Sequence, residues 1–183
     1  FRFEVAAGSV ISVDVAAARL GSPLDPVIEI QDRNGRRLPV QEIRIGSDPV
    51  LACRVETAGE YRLLVSNLNF HGGPQYVYRI TVTQAPYVAF AFPPGGHAGQ
   101  DLACELFALD GAGGLVPRRE TISLPAGTPR EFVWSGARRT ANPVLVESVA
   151  LPVAVEAEPN GAVGTATAVT CPSVVYGRLS SGA

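Results

Sequence analysis

The chain contains neither lysine nor methionine, and charged residues of any kind are few. All 15 basic residues in its 183 positions are arginines, and the formal net charge at pH 7 is −2. A protein that grips nucleic acid by its phosphates normally carries a basic surface, so this balance predicts no nucleic-acid partner. Charged residues make up 17% and hydrophobic residues 46% of the chain, which excludes extended disorder over most of its length.

Long apolar runs and paired cysteines are also missing. No stretch approaches the roughly 18 apolar residues of a membrane-spanning helix, so the sequence predicts no membrane insertion. Cys53, Cys104 and Cys171 lie far apart without a CxxC pair, which argues against a structural zinc site and a thioredoxin-type motif. Cys53 and Cys104 alternate with apolar neighbours and are predicted to be small buried hydrophobes. Their spacing selects no disulfide pair.

Prolines and glycines leave few windows long enough for a helix of average length, and a single helical turn is expected at residues 16–19. Strands are expected instead. In the clearest stretch, Tyr61, Leu63 and Val65 point to one face, and alternation resumes after a glycine-rich turn. Asn34-Gly35 predicts a two-residue hairpin turn. Further strands are predicted at residues 1–5, 11–15, 27–30, 50–55, 75–83, 87–92, 101–109, 121–124, 130–134, 143–146 and 174–179.

Three motifs resemble the bacterial pre-peptidase C-terminal domain family. They are GEYRLLVSN at residues 59–67, HGGPQYVYRITV at 71–82 and EAEPN at 156–160. The resemblance implies an all-β fold in which residues 1–83 form an incomplete, jelly-roll-like antiparallel β-sandwich. After a boundary at residues 84–86, residues 84–152 more loosely resemble a second small sandwich of the immunoglobulin-like or TIG-like kind. Residues 153–183 resemble the opening segment of a following module.

This order implies that the chain opens inside one module and closes inside the next. Because Phe1 is not a natural start, we expect the chain to be a piece of a longer protein. Without its opening strands, the module at 1–83 would expose a sheet edge that invites strand addition. Residues 153–179 are predicted to complement it, either within one chain or between neighbouring chains.

Glu156, Glu158 and Asn160 are the predicted metal ligands. Their oxygen-bearing side chains occur at alternate positions and would project to one side of an extended segment, as the hard calcium ion requires. In some members of the family the matching acidic stretch supplies calcium ligands. Gly161 stands where the family usually has a further acidic residue, so an acidic, solvated linker is the alternative. Calcium is the one cofactor that the sequence predicts.

Catalysis is not expected. His71-Gly72-Gly73 is similar to an esterase oxyanion loop, but the GxSxG nucleophile motif that would accompany it is missing. His71 and His97 sit beside glycine pairs and are predicted to be turn residues that bond nearby backbone. Asp25 and Asp48 each precede a proline, which favours a turn or strand-entry role over acid–base chemistry.

The sequence therefore predicts a non-catalytic accessory or spacer module that supports or tethers neighbouring domains. By resemblance, its location is extracellular, periplasmic or at the cell surface. The alternative is a module that binds an extracellular polysaccharide or a fibrous protein. Trp134, assisted by Tyr87 or Tyr176, is the candidate sugar platform, but its alternation with Phe132 on one strand is more typical of a core residue. Exposed aromatic residues clustered on one sheet would favour the binding module.

Overall fold

The computed structural model describes residues 1–127, 130–135 and 140–179, and confirms the all-β fold. Packing divides these residues into two compact units. The first unit holds residues 1–87, 108–116 and 140–141, and the second holds 88–107, 117–127, 130–135 and 142–179. No helix in these ranges is long and apolar enough to span a bilayer. The strands are β1 Arg2–Val5, β2 Val10–Ala16, β3 Pro26–Asp32, β4 Gln41–Ile45, β5 Asp48–Arg54, β6 Gly59–Asn67, β7 Arg79–Thr83, β8 Val88–Phe92, β9 Gly95–His97, β10 Asp101–Leu109, β11 Leu115–Ser123, β12 Arg130–Trp134, β13 Val144–Val149, β14 Val153–Val155 and β15 Val174–Tyr176.

The first unit contains a sandwich of two antiparallel sheets, with strand orders β1-β6-β3 and β4-β5-β2-β7. Every connection crosses from one sheet to the other, except the hairpin between β4 and β5. In β6, Tyr61 and Leu63 are buried and Arg62 and Leu64 are exposed, which confirms the predicted alternation. The shared core consists of Val5, Ile11, Val13, Val15, Ile30, Leu51, Cys53, Val55, Tyr61 and Leu63.

Strand β5 is buried on both faces. Leu51 belongs to the sandwich core, whereas Val50 packs on the opposite face in a second cluster with Tyr87 and Leu109. A strand covered on both sides has apolar residues at consecutive positions. This is why apolar and polar residues do not alternate cleanly in this segment. Asn34-Gly35 lies in a tight turn, closed by a hydrogen bond from the Asp32 N–H to the Arg36 carbonyl, but the loop between Asp32 and Arg36 holds residues 33–35 and not the two residues predicted.

The second unit contains sheets with the orders β11-β10-β8 and β12-β13-β9, together with the pair β14-β15. Strand β12 is antiparallel to β13, whereas β9 runs parallel to β13 and β14 runs parallel to β15. Strand β10 alternates as predicted, so that one face is buried and the other reaches solvent. The buried residues of this unit include Val88, Leu102, Cys104, Leu106, Ile122, Leu124, Val144 and Val146.

Several strand bounds and one turn were predicted wrongly; β11, for example, begins at Leu115 and not at residue 121. The strand expected from residue 75 begins only at Arg79, and β4 was not predicted because its sequence, QEIRI, is polar enough for a sheet edge. Gly95-Gly96, expected in a turn, belongs to β9. A Cβ at Gly95 would lie 2.4 Å from the Tyr176 hydroxyl and 2.7 Å from the Glu147 carbonyl oxygen. Glycine is therefore used here for close approach of the backbone to its neighbours.

Residues 153–179 pair with themselves through β14 and β15. The predicted complementation of residues 1–83 by this segment stays a prediction, as do the module boundaries at 83 and 152. Residues 180–183, the end of the predicted opening segment, lie outside the described residues.

Candidate functional site

The three predicted calcium ligands lie together in the loop that follows β14. The side-chain amide of Asn160 donates to the Glu156 carboxylate, and its main-chain N–H donates to Glu158 Oε2 at 3.0 Å. The main-chain N–H of Arg178 donates to Glu156 Oε2 at 2.8 Å. The acidic cluster formed by Glu156, Glu158 and Asn160 is thus held by its own hydrogen bonds and by the segment that follows β15.

A hollow of about 220 Å³ lies beside the acidic cluster, lined by Phe92, Glu156, Glu158, Arg178 and Leu179. Each carboxylate offers two oxygen atoms and the amide offers one, so water or main-chain oxygens would have to complete the six to eight ligands of calcium. In the described part of the chain, no group of three or more histidine, cysteine, aspartate or glutamate residues is placed to hold a metal. Calcium binding at the acidic cluster stays a prediction.

We expect calcium to raise the thermal midpoint of the chain. Calcium at a hundredfold its dissociation constant would add about 2.7 kcal/mol to the free energy of unfolding, which corresponds to roughly 2–8 °C for domains of this size range. The measurement is a pair of melts, in excess calcium and in a chelator. The double variant Glu156→Gln/Glu158→Gln is the control and should show no shift. Equal midpoints for the natural chain would leave the acidic cluster as linker.

Of the two histidines, His97 places its ring beside nearby backbone, although it ends β9 instead of lying in a turn, whereas His71 contributes only its own main-chain carbonyl. The main-chain carbonyl of His71 accepts a hydrogen bond from Asn67 Nδ2 at 2.9 Å, and Nδ1 of His97 lies 3.0 Å from the Ala98 carbonyl oxygen. His71 belongs to the first unit and His97 to the second.

All three cysteines are free thiols, of which Cys53 and Cys104 are buried and Cys171 is exposed. Burial raises the pKa of the Cys53 and Cys104 thiols to about 11, so both stay protonated at neutral pH. The thiolate is the reactive form of cysteine. These two residues therefore act as small hydrophobic side chains, in agreement with the sequence.

Asp48 is a buried anchor for the 3₁₀ turn at Ala18–Leu20. Its Oδ1 accepts the main-chain N–H groups of Ala17 and Ala18 at 2.9 and 2.7 Å, and its Oδ2 accepts the Arg19 N–H at 3.0 Å and Arg19 Nε at 2.9 Å. Burial alone would raise the pKa of Asp48, but the hydrogen bonds from Arg19 and the backbone outweigh it and lower the pKa. The sequence predicted a turn or strand-entry role for Asp48, and Asp48 does begin β5. The sequence did not predict that Asp48 would bind a turn about thirty residues upstream.

The candidate sugar platform is not an exposed aromatic surface. Tyr87 is buried in the core of the first unit. Tyr176 is buried in the second unit, where its hydroxyl donates to Glu147 Oε2 at 3.1 Å. Burial, and then this bond, raise the pKa of Tyr176 to about 12. Trp134 is half-buried.

A different set of aromatic residues reaches the surface, on the sheet β11-β10-β8. The rings of Phe90 on β8 and Phe107 on β10 stack with centroids 4.7 Å apart and planes inclined by 17°. The guanidinium carbon of Arg178 lies 4.6 Å from the centroid of the Phe92 ring and 5.5 Å from that of Phe107. We call Phe90, Phe92, Phe107 and Arg178 the aromatic face.

Sequence reasoning missed the aromatic face, although part of the signal was present. Because Leu102, Cys104 and Leu106 alternate toward the core, Phe107 must lie on the outer face of β10. No comparable pattern in the sequence marks the contact of Arg178 with the rings.

Comparison with known proteins identified no relative: no family model, curated protein or solved structure matches the chain significantly. The likeness to the pre-peptidase C-terminal domain family therefore rests on the three motifs alone.

Proposed function

We propose that the chain is a non-catalytic accessory module of a larger extracellular or cell-surface protein, which spaces or tethers neighbouring domains. The observation that carries this proposal is that the buried polar side chains bond the main chain. Each of the five identified in the described residues bonds main-chain groups of a neighbouring segment. These residues are Ser12, Ser22, Asp48, Asn67 and Ser148.

Enzymes concentrate buried ionisable groups with perturbed pKa values in a cleft, where those groups are free to react. Here the buried carboxylate of Asp48 is bound by four donors, and the Cys53 and Cys104 thiols are kept neutral. Such groups stabilise a fold. The motifs that resemble the pre-peptidase C-terminal family support the same role and supply the proposed location.

A test of this proposal measures turnover on an ester, a casein and a glycoside substrate. We expect no rate above buffer for the natural chain, and the same result for the double variant His71→Ala/His97→Ala. A rate that the natural chain shows and the double variant loses would overturn the non-catalytic role.

A second function is favoured by the aromatic face. Exposed aromatic residues clustered on one sheet favour a module that binds an extracellular polysaccharide or a fibrous protein, because large apolar side chains are usually buried unless they meet a partner. Phe90 keeps 44% of its surface exposed. We propose binding as a role additional to spacing.

A further inference from the structure

Next to the aromatic face, the outer side of the sheet β11-β10-β8 forms a hollow of about 570 Å³. The exposed, small Ala103 on β10 lies in this hollow, with Glu105 beside it, Arg119 on the neighbouring strand β11 and Phe92 and Arg178 at the other side. Ligand sites usually enclose about 300–1,000 Å³, so the hollow can accept a small ligand or part of a chain.

Arg178 is held in a way that leaves its hydrogen-bond donors available. Its guanidinium lies over the rings of Phe92 and Phe107, a contact that uses the positive charge and the flat face of the group. Among the described residues it has no acidic side chain within ion-pair distance. Its main-chain N–H is fixed by Glu156. The five N–H donors of the Arg178 side chain lie around the edge of the guanidinium plane.

The hollow is balanced in charge. Two arginines, Arg119 and Arg178, and two glutamates, Glu105 and Glu120, line it. An anionic ligand would meet the two carboxylates and a cationic ligand the two guanidinium groups. A neutral ligand with many hydroxyls fits better, because each hydroxyl can donate to a carboxylate and accept from a guanidinium.

We propose that the aromatic face and this hollow bind a neutral, linear oligosaccharide; the inference rests on the second proposed function and specifies its ligand. A pyranose ring has an apolar C–H face and a rim of hydroxyls. Its apolar face packs on the exposed Phe90 ring and the half-buried Phe107 ring, and the next sugar along β10 places its hydroxyls in the hollow, against Glu105 and Arg178. The edge strand β11 adds Arg119.

The test is isothermal titration of the chain with four neutral hexasaccharides: cellohexaose, laminarihexaose, xylohexaose and chitohexaose. Polygalacturonate and fibrillar collagen, assayed by co-sedimentation, provide an anionic glycan and a fibrous protein. The variants are Phe90→Ala and Arg178→Ala. Phe70→Ala is the matched control, because Phe70 is 91% exposed and belongs to the first unit. A thermal melt checks that each variant is folded.

We expect at least one neutral hexasaccharide to bind, with affinity reduced tenfold or more in both Phe90→Ala and Arg178→Ala and unchanged in Phe70→Ala. Using two variants from different segments of the chain, β8 and the residues after β15, guards against a single folding defect. Neutral-glycan binding that both variants retain would overturn the proposed site but leave the binding function standing. Binding of collagen or polygalacturonate alone would overturn the proposed ligand and keep a binding role. If nothing binds, both the site and the binding function fail, and only the spacer role remains.

Discussion

Replacing Asp48 with alanine is expected to lower the free energy of unfolding by about 3–5 kcal/mol. This is the usual cost of removing one partner from a buried, hydrogen-bonded ion pair. The loss has two parts: the main-chain N–H groups of Ala17 and Ala18 lose their acceptor, and Arg19 loses one of its two carboxylate partners. Urea unfolding of the two proteins measures the difference. A loss below about 1 kcal/mol would show that water replaces the carboxylate at low cost.

The same carboxylate predicts a dependence on pH. The pKa of Asp48 is lowered in the folded state. Its contribution is therefore present above the unfolded value of about 3.9 and disappears as the pH falls through the folded pKa. The natural chain should lose its advantage over Asp48→Asn progressively below about pH 5. The control is Arg19→Ala, which leaves the backbone donors of Asp48 in place and should cost less than Asp48→Ala. An advantage over Asp48→Asn that is constant from pH 7 to pH 3 would contradict the assignment.

The second large effect is expected at Gly111, in the turn between β10 and β11. Its φ of +75° is in the left-handed region, and a Cβ there would lie 2.8 Å from the Arg54 nitrogen and 2.9 Å from the Cys53 carbonyl carbon. Both atoms are backbone and cannot swing aside. Gly111→Ala should therefore cost about 1–3 kcal/mol for overpacking and about 1–2 kcal/mol for the left-handed conformation, measured by urea unfolding.

Gly113 provides the matched control in the same turn. Its φ is +102°, but no atom lies within 4 Å of the position of a Cβ. Gly113→Ala should cost only the conformational part, so the difference between the two variants isolates the contact between the turn and β5. Equal losses would mean that the backbone conformation alone accounts for the effect and that the turn can move away from β5.

The strands were predictable wherever one face of a strand is buried and the other is exposed. In β6 and β10 the alternation of apolar and polar residues, a property of adjacent positions, matches the observed burial. The prediction failed where burial depends on what covers the strand. The edge strand β4 is polar, and β9 consists of glycines and a histidine that pair with β13 because no side chain obstructs the approach.

The candidate sites, too, were predictable only where they depend on residues close together in the sequence. The acidic cluster was predictable because its three members lie within five residues of one another and contact each other locally. The aromatic face brings together β8, β10 and the residue two positions after β15. Spacing along the chain carries no information about such a combination, because strand pairing decides which distant residues become neighbours.

By itself, the sequence determined that this protein is all-β, that Cys53 and Cys104 are buried, and that Glu156, Glu158 and Asn160 are neighbours. These properties depend on local alternation, turn residues and short-range geometry. Only the tertiary structure decided that Asp48 anchors a distant turn, that Gly111 packs on β5 and that Arg178 stacks on two phenylalanines. Each of these depends on the pairing order of strands, which local residue preferences do not encode because many pairings bury the same apolar residues.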